Sequence, residues 1–167
     1  MENLEILKGR RLLIVDDETD VLDTLSELLD MCLIDTASDF KTARALLRAH
    51  QYDAAIFDIM GVNGYDLLEI SNKKKIPALM FTAHALHPDD FVKSMEGGAK
   101  AYIPKEKMSE IADFVADLIR SQLAGDQRPN KWFERLRSFF DQRFGANWMK
   151  DRQAFWDRND WLFPPGD

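Results

Sequence analysis

The chain has 167 residues, enough for one globular domain of ordinary size with an appendage. Its residues are 46% hydrophobic and 31% charged, as in water-soluble globular proteins. The formal net charge of -7 argues against a protein that binds the nucleic-acid backbone through a basic surface. No stretch has the apolar character of a signal peptide or a membrane span, and a single cysteine, Cys32, excludes an internal disulfide. We therefore expect a cytoplasmic protein without a membrane partner.

The first two-thirds of the sequence alternate short apolar runs with stretches of helical periodicity. The runs predict strands near residues 12–15, 34–37, 54–57, 78–81 and 101–104. Between them, apolar residues at helical spacing predict a helix after each strand. Such an alternation indicates a parallel sheet that is covered by helices on both faces.

Local signals mark where the predicted helices begin and end. Thr19 or Asp20 is the expected cap of the first helix, and Asp39 is the expected cap of the second. The turn containing Gly61 and Gly64 leads into the third helix. Pro88 starts the fourth helix, and the glycine pair Gly97-Gly98 ends it. Ser109 is the expected cap of the fifth helix.

Polar residues follow four of the five predicted strands. Asp16 and Asp17 follow the first, Asp58 the third, Thr82 the fourth and Lys105 the fifth. In open α/β sheets, ligands bind beyond the carboxyl ends of the strands. Any one of these aspartates alone is better explained as a loop start or a helix cap. Together with the hydroxyl and the amine, they predict a functional site at one edge of the sheet.

The last part of the chain differs in composition from the rest. We divide the sequence into residues 1–124 and a helical extension at 125–167, with a linker near 125–130. All four tryptophans and six of the eleven phenylalanines lie in the extension. Periodicity predicts one helix after Asn130, ending at Gly145, and a second helix that begins at Asn147.

So many aromatic side chains must be buried, because a contiguous patch of this kind is unfavourable in water. They could pack on their own domain, between two chains or against a partner protein, or, less favourably, on a membrane surface. We weigh the first two alternatives almost equally and lean slightly towards a homodimer formed through the C-terminal aromatic helices. The extension is too short for a winged-helix domain and has no basic helix-turn-helix, so no direct DNA binding is expected.

Four sequence motifs resemble the receiver domain of bacterial response regulators, the CheY-like family. They are Leu13-Ile14-Val15-Asp16-Asp17-Glu18, Phe57-Asp58-Ile59-Met60, Phe81-Thr82-Ala83 and Gly98-Ala99-Lys100-Ala101-Tyr102-Ile103-Pro104-Lys105. The resemblance covers about residues 10–123. It implies a flavodoxin-like (βα)5 doubly wound parallel sheet with strand order 2-1-3-4-5, followed in this chain by an α-helical extension that resembles no family we know.

The resemblance also implies a role for each residue at the strand ends. Asp58 is the implied phosphorylation site. The implied Mg²⁺ ligands are Asp16, Asp17, Asp58 and the backbone carbonyl of Met60. Phosphoryl binding and switching fall to Thr82, Ala83, Tyr102 and Lys105, with Tyr102 turning inward as Thr82 moves towards the phosphoryl group. The implied surface for partners is then the fourth helix, the fifth strand and the fifth helix.

Two local departures from the family pattern stand beside this resemblance. The turn Gly61-Val62-Asn63-Gly64 is short and lacks the family's proline. A proline precedes Lys105 instead of following it, so the family's cis Lys-Pro bond cannot form. Neither departure removes a group that the chemistry needs.

We therefore expect a response regulator of a two-component phosphorelay, not an enzyme with a separate substrate. It would catalyse its own phosphorylation and dephosphorylation with Mg²⁺. Its expected partners are a sensor histidine kinase or phosphotransfer protein and a downstream protein. The alternative is an interaction or scaffold module that uses the receiver fold without phosphorylation.

Overall fold

A computed structural model describes residues 4–83, 87–125, 131–159 and 162 of the chain. Within these residues, five parallel strands form one sheet: β1 (Arg11–Val15), β2 (Leu33–Ala37), β3 (Ala54–Phe57), β4 (Ala78–Thr82) and β5 (Ala101–Pro104). Their order is β2-β1-β3-β4-β5. The predicted fold class and strand order are therefore confirmed.

Helices cover both faces of the sheet, as its buried strands require. They are α1 (Thr19–Leu28), α2 (Phe40–Ala49), α3 (Gly64–Lys73), α4 (Pro88–Glu96) and α5 (Ile111–Ala124). The C-terminal extension contributes α6 (Lys131–Phe144) and α7 (Gln153–Arg158), and short 3₁₀ helices occupy Leu4–Leu7, Lys105–Glu110 and Lys150–Arg152. None of the helices in the described part of the chain is long and apolar enough to cross a membrane.

The strand register brings the carboxyl ends of the central strands to the same level. Val15 lies beside both Ala37 and Phe57, and Thr82 lies beside Pro104. Asp16, Asp58 and Lys105 are the next residues along their strands. The sheet geometry therefore delivers these three side chains to one edge without any further requirement on the loops.

The predicted caps are confirmed at α2 and wrong at α1 and α5. Asp39 accepts a hydrogen bond from the amide of Thr42 at 2.8 Å. At α1 the N-cap is Glu18, because Asp16 Oδ1 accepts its amide hydrogen bond and the helix begins directly at Thr19. At α5, Ser109 lies inside the 3₁₀ helix that continues from β5, so the N-cap is Glu110.

The first helix of the extension matches its prediction, and the second begins later than predicted. α6 ends at Phe144, before Gly145 with its positive φ of 95°. A short 3₁₀ helix comes before α7, which starts at Gln153 instead of near Asn147. Asn130, the predicted cap of α6, lies outside the described residues.

The aromatic side chains of the extension are buried within their own chain. Phe91 of α4 lies at the centre of six of their rings, with ring centroids 5.3–6.2 Å away. We call this set the aromatic cluster: Phe91 with Trp132, Phe133, Phe140, Trp148, Phe155 and Trp156, each 5% exposed or less.

Our slight preference for burying these rings between two chains is contradicted by this packing. The first alternative, packing on their own domain, is the one that the structure shows. The physical reason is that α4 and β5 themselves present an apolar face, including Phe91 and Tyr102, that the extension covers. A homodimer through the outer side of the C-terminal helices stays a prediction.

Candidate functional site

Four of the predicted site residues and one further acid meet at the carboxyl edge of the sheet. Lys105 is at their centre: its Nζ lies 2.8 Å from Asp16 Oδ2 and 3.3 Å from Asp58 Oδ2. Asp16 and Asp58 are 1% and 3% exposed, whereas Asp17 and Glu18 face solvent. The site is thus a buried pair of carboxylates bridged by an ammonium group, with two more carboxylates at its mouth.

Glu18 is the residue that the sequence analysis did not include in the site. Its Oε1 lies 3.3 Å from Lys105 Nζ. The signal was present, since Glu18 is the third acid in an unbroken run after β1. Its position at the N-cap of α1 turns its side chain towards the pocket instead of along the helix.

The electrostatics of the site follow from burial and from the spacing of its charges. Burial raises the pKa of both Asp16 and Asp58, and the Asp16 carboxylate raises that of Asp58 further, against the opposing effect of Lys105. Burial by itself would lower the pKa of Lys105, but its hydrogen bond to Asp16 and the charge of Asp58 raise it overall. The site therefore has more carboxylates than ammonium groups. A bound divalent cation would compensate this excess of negative charge.

The oxygen donors at the mouth of the site fit Mg²⁺. Asp16, Asp17 and Glu18 each offer a ligand atom, and these atoms lie within 4.8 Å of one another. Hard carboxylate oxygens, part buried and part open to water, are the ligands that Mg²⁺ prefers. Asp58 is joined to this group through Lys105. Met60 lies two residues beyond Asp58 with an exposed side chain, and the role of its carbonyl stays a prediction.

Two glycines allow the loop after β3 to close against the acids. A Cβ at Gly61, whose φ is +81°, would come within 2.2 Å of Asp17 Oδ2, and one at Gly64 within 2.0 Å of the Asp58 carbonyl oxygen. Any side chain at either position would force the loop away. Asp58 is held in place by the amide of Ile59, which donates to its Oδ1 at 2.9 Å.

The remaining predicted residues, Thr82, Ala83 and Tyr102, differ in their burial. Thr82 is fully buried, and its Oγ1 has no hydrogen-bond partner in the described part of the chain. Ala83 beside it is exposed. Tyr102 is fully buried, with its ring 5.5 Å from Phe91 and 6.1 Å from Phe140.

The family model described as the response regulator receiver domain matches residues 12–116. The chain belongs to this family. Among curated relatives, the receiver domain resembles the transcriptional regulatory protein TcrA of Mycobacterium tuberculosis, with 30% identity over 59% of this chain and 41% of that protein. The two-component response regulator ARR12 of Arabidopsis thaliana is 29% identical over 87% of this chain. The chain spans less than half the length of these two relatives, 41% and 24% respectively.

Solved receiver structures superpose on the same region. The CheY-like receiver domain protein of Methanospirillum hungatei gives a TM-score of 0.65 at 26% identity, covering 71% of this chain and 99% of that one. The response regulator TrrA of Thermotoga maritima, solved in complex with Mg²⁺ and BeF, gives 0.57 at 30% identity, covering 65% and 98%. The family match ends at residue 116, before the extension.

One expectation drawn from the family resemblance is corrected by the extension. The face of α4, β5 and α5 was expected to be open to partner proteins. In this receiver domain α6 and α7 cover it, because the buried Phe91 and Tyr102 pack against their rings. Arg135 of α6 also lies over the ring of Phe114 on α5. A partner would have to displace the extension or bind to its outer side.

Proposed function

We propose that this receiver domain accepts a phosphoryl group on Asp58 with Mg²⁺ and serves as a response regulator in a two-component phosphorelay. The observation that carries the proposal is the position of Lys105, whose Nζ bridges the buried carboxylates of Asp16 and Asp58. Such a bridge leaves Asp58 at the floor of a pocket whose mouth is lined by further oxygen donors.

The chemistry is a displacement at phosphorus. An Asp58 carboxylate oxygen forms the new P–O bond while the bond from phosphorus to the donor group breaks, and the electron pair departs with the donor. Mg²⁺ would be held by Asp16, Asp17, Asp58 and the Met60 carbonyl. When bound there, it would reduce the repulsion between the anionic donor and the carboxylates. Lys105 stays protonated and pairs with the phosphoryl oxygens, and the Thr82 hydroxyl donates a hydrogen bond to one of them.

The same pocket explains how the signal would end. The arrangement that would favour in-line attack by Asp58 on the phosphoryl donor would also favour in-line attack by water on the acyl phosphate, so the group would be lost by hydrolysis without a second protein. The chain is thus a phosphoprotein that catalyses its own phosphorylation and dephosphorylation, not an enzyme with a separate substrate. The proposal includes a cytoplasmic location, a histidine kinase or phosphotransfer protein as donor, and a downstream protein partner without direct DNA binding.

Intact mass spectrometry tests this function. The full chain is incubated with Mg²⁺ and a small acyl phosphate, and the uptake of one phosphoryl group per chain is expected. Asp58→Asn should take up none, whereas Asp66→Asn, which changes an exposed carboxylate in the first turn of α3, should match the unchanged chain. Equal labelling of Asp58→Asn would refute the assignment. A full chain that is never labelled would favour the scaffold alternative.

A further inference from the structure

Four arginines of the extension form ion pairs with acids of the receiver domain in the described residues. Arg152 and Arg158 pair with Asp89 and Glu96 at the two ends of α4, at 3.0 and 2.6 Å. The other two pair with acids that follow β5: Arg135 with Glu110 at 2.8 Å and Arg143 with Glu106 at 2.9 Å. The receiver part of the sequence carries a net charge of about -8 and the extension about +1, so the two surfaces are complementary.

Between these ion pairs, the extension contacts the residue that the family uses as its switch. The Tyr102 ring packs against Phe140 of α6 and Phe91 of α4 at centroid distances of 6.1 and 5.5 Å. Turning Tyr102 out would remove it from both rings and leave a void beside Phe140, because Tyr102 is fully buried where it is. The docked extension therefore favours the inward position of Tyr102.

Tyr102 in turn lies next to the phosphorylation site through the sheet. Tyr102 of β5 pairs in register with Met80 of β4, and Thr82 lies two residues beyond Met80 on β4. Residues two apart on a strand point to the same face, so Thr82 and Tyr102 are diagonal neighbours on one face of the sheet. A phosphoryl group on Asp58 would supply the acceptor that the buried Thr82 Oγ1 lacks among the described residues. Drawing Thr82 towards the site leaves more room for an inward Tyr102.

We infer that the extension is the receiver domain's own resident partner, whose docking on α4 and β5 is coupled to phosphorylation of Asp58 through the contact between Tyr102 and Phe140. This inference rests on the proposed function. Both the docked extension and the phosphoryl group favour the inward Tyr102, so each strengthens the other. Such a coupling is reciprocal: docking strengthens phosphoryl binding by the same factor by which a phosphoryl group strengthens docking. Removing the Phe140 contact that transmits the coupling should therefore weaken phosphoryl binding.

The tryptophans provide a reporter for the extension alone. All four are in the extension and none is in residues 1–124. Three of them, Trp132, Trp148 and Trp156, belong to the aromatic cluster. Titrating the full chain with beryllofluoride and Mg²⁺, a stable mimic of the phosphoryl group, should change tryptophan emission in a saturable way. Asp58→Asn should show no such change.

The decisive comparison is Phe140→Leu against Phe139→Leu in the full chain. Phe140→Leu keeps an apolar side chain but removes the ring next to Tyr102. Phe139 is its neighbour on α6, half-buried against Lys107 and Arg143 at the rim of the interface. We expect the concentration of beryllofluoride that half-saturates the chain to rise about 5-fold or more in Phe140→Leu, the lower end of typical couplings. In Phe139→Leu it should stay within about twofold of the unchanged chain. Circular dichroism verifies that both variants are folded.

The outcomes separate this inference from the proposed function. Mass spectrometry on the same samples reports phosphoryl uptake from a small acyl phosphate. Uptake with unchanged tryptophan emission, or equal half-saturation in the two leucine variants, would overturn the coupling and leave the proposed function standing. No uptake by the unchanged chain would overturn the proposed function and this inference with it. A folded Phe140→Leu that binds the mimic more tightly would reverse the sign of the coupling and refute the inference as stated.

Discussion

The acidic pocket and the aromatic cluster lie on the same receiver domain but are built in opposite ways. The pocket consists of single residues that follow strand ends, and the strand register fixes where they go. The cluster consists of rings from α4, α6, α7 and the turn that follows α6, and tertiary packing decides which of them meet. Position along the backbone therefore determines the first region, whereas complementary shape and charge determine the second.

The two regions also contribute to stability with opposite sign. The pocket holds two buried carboxylates whose pKa values are raised by burial, so their ionised forms disfavour the folded state. The cluster buries large aromatic side chains from water and is bordered by ion pairs. Functional sites commonly carry such a cost, which the rest of the fold offsets.

Removing the extension should disturb the molecule more than any single substitution in the pocket. A chain that ends at Gly125, the left-handed C-cap of α5, would expose Phe91 and Tyr102 on one face. We expect the shortened chain to self-associate or to lose solubility relative to the full chain, because a contiguous apolar face is unfavourable in water. Sedimentation velocity of both chains measures this. A monomeric shortened chain beside a dimeric full chain would restore the view that the rings are buried between chains.

Asp17→Ala tests the pocket at its mouth and leaves the cluster unchanged. Asp17 offers an exposed oxygen near those of Asp16 and Glu18, so its loss should weaken Mg²⁺ binding about tenfold or more, equivalent to about 1.4 kcal/mol. Calorimetric titration with Mg²⁺ gives the affinity. Asp20→Ala, which removes an acid from the first turn of α1, is the matched control and should bind Mg²⁺ almost as the unchanged chain does. Equal affinities of the two variants would place the metal elsewhere.

Asp58→Asn tests the opposite contributions to stability and should have a smaller effect. The pKa of Asp58 is raised in the folded state by burial and by Asp16, above the ordinary value of about 3.9. The ionised carboxylate therefore lowers stability at neutral pH, and this cost disappears below the unfolded pKa, where both states are protonated. Without Mg²⁺, we expect Asp58→Asn to melt at a higher temperature than the unchanged chain at pH 7.

The pH dependence and a control make that experiment specific. The gain in melting temperature should shrink as the pH falls towards about 4, because the wild-type carboxyl then becomes protonated. Asp66→Asn, on the exposed side of α3, should change little at either pH. If Asp58→Asn melted lower than the unchanged chain at pH 7, the ion pair with Lys105 would outweigh burial, and the pocket would stabilise the fold.

The sheet and most of the pocket could be predicted from the amino-acid sequence. Short apolar runs alternating with helical periodicity leave few arrangements other than a parallel sheet, and a polar residue after a buried strand must emerge at its carboxyl edge. Asp16, Asp58, Thr82 and Lys105 could be placed for that reason. Asp39 could be identified as a cap because its hydrogen bond is made within the next three residues.

The surface that the extension covers could not be predicted in this way, because it depends on contacts between residues that are distant in sequence. Periodicity showed that α6 has an aromatic side, but the same side could equally have met a second chain. The surface on which α6 packs includes Phe91 and Tyr102. These two residues are separated in sequence and become neighbours only when α4 packs beside β5. The roles of Glu18 and Ser109 could not be predicted from the sequence either. Their roles depend on where a helix starts, and contacts made by Asp16 and by the turn after β5 set those starts.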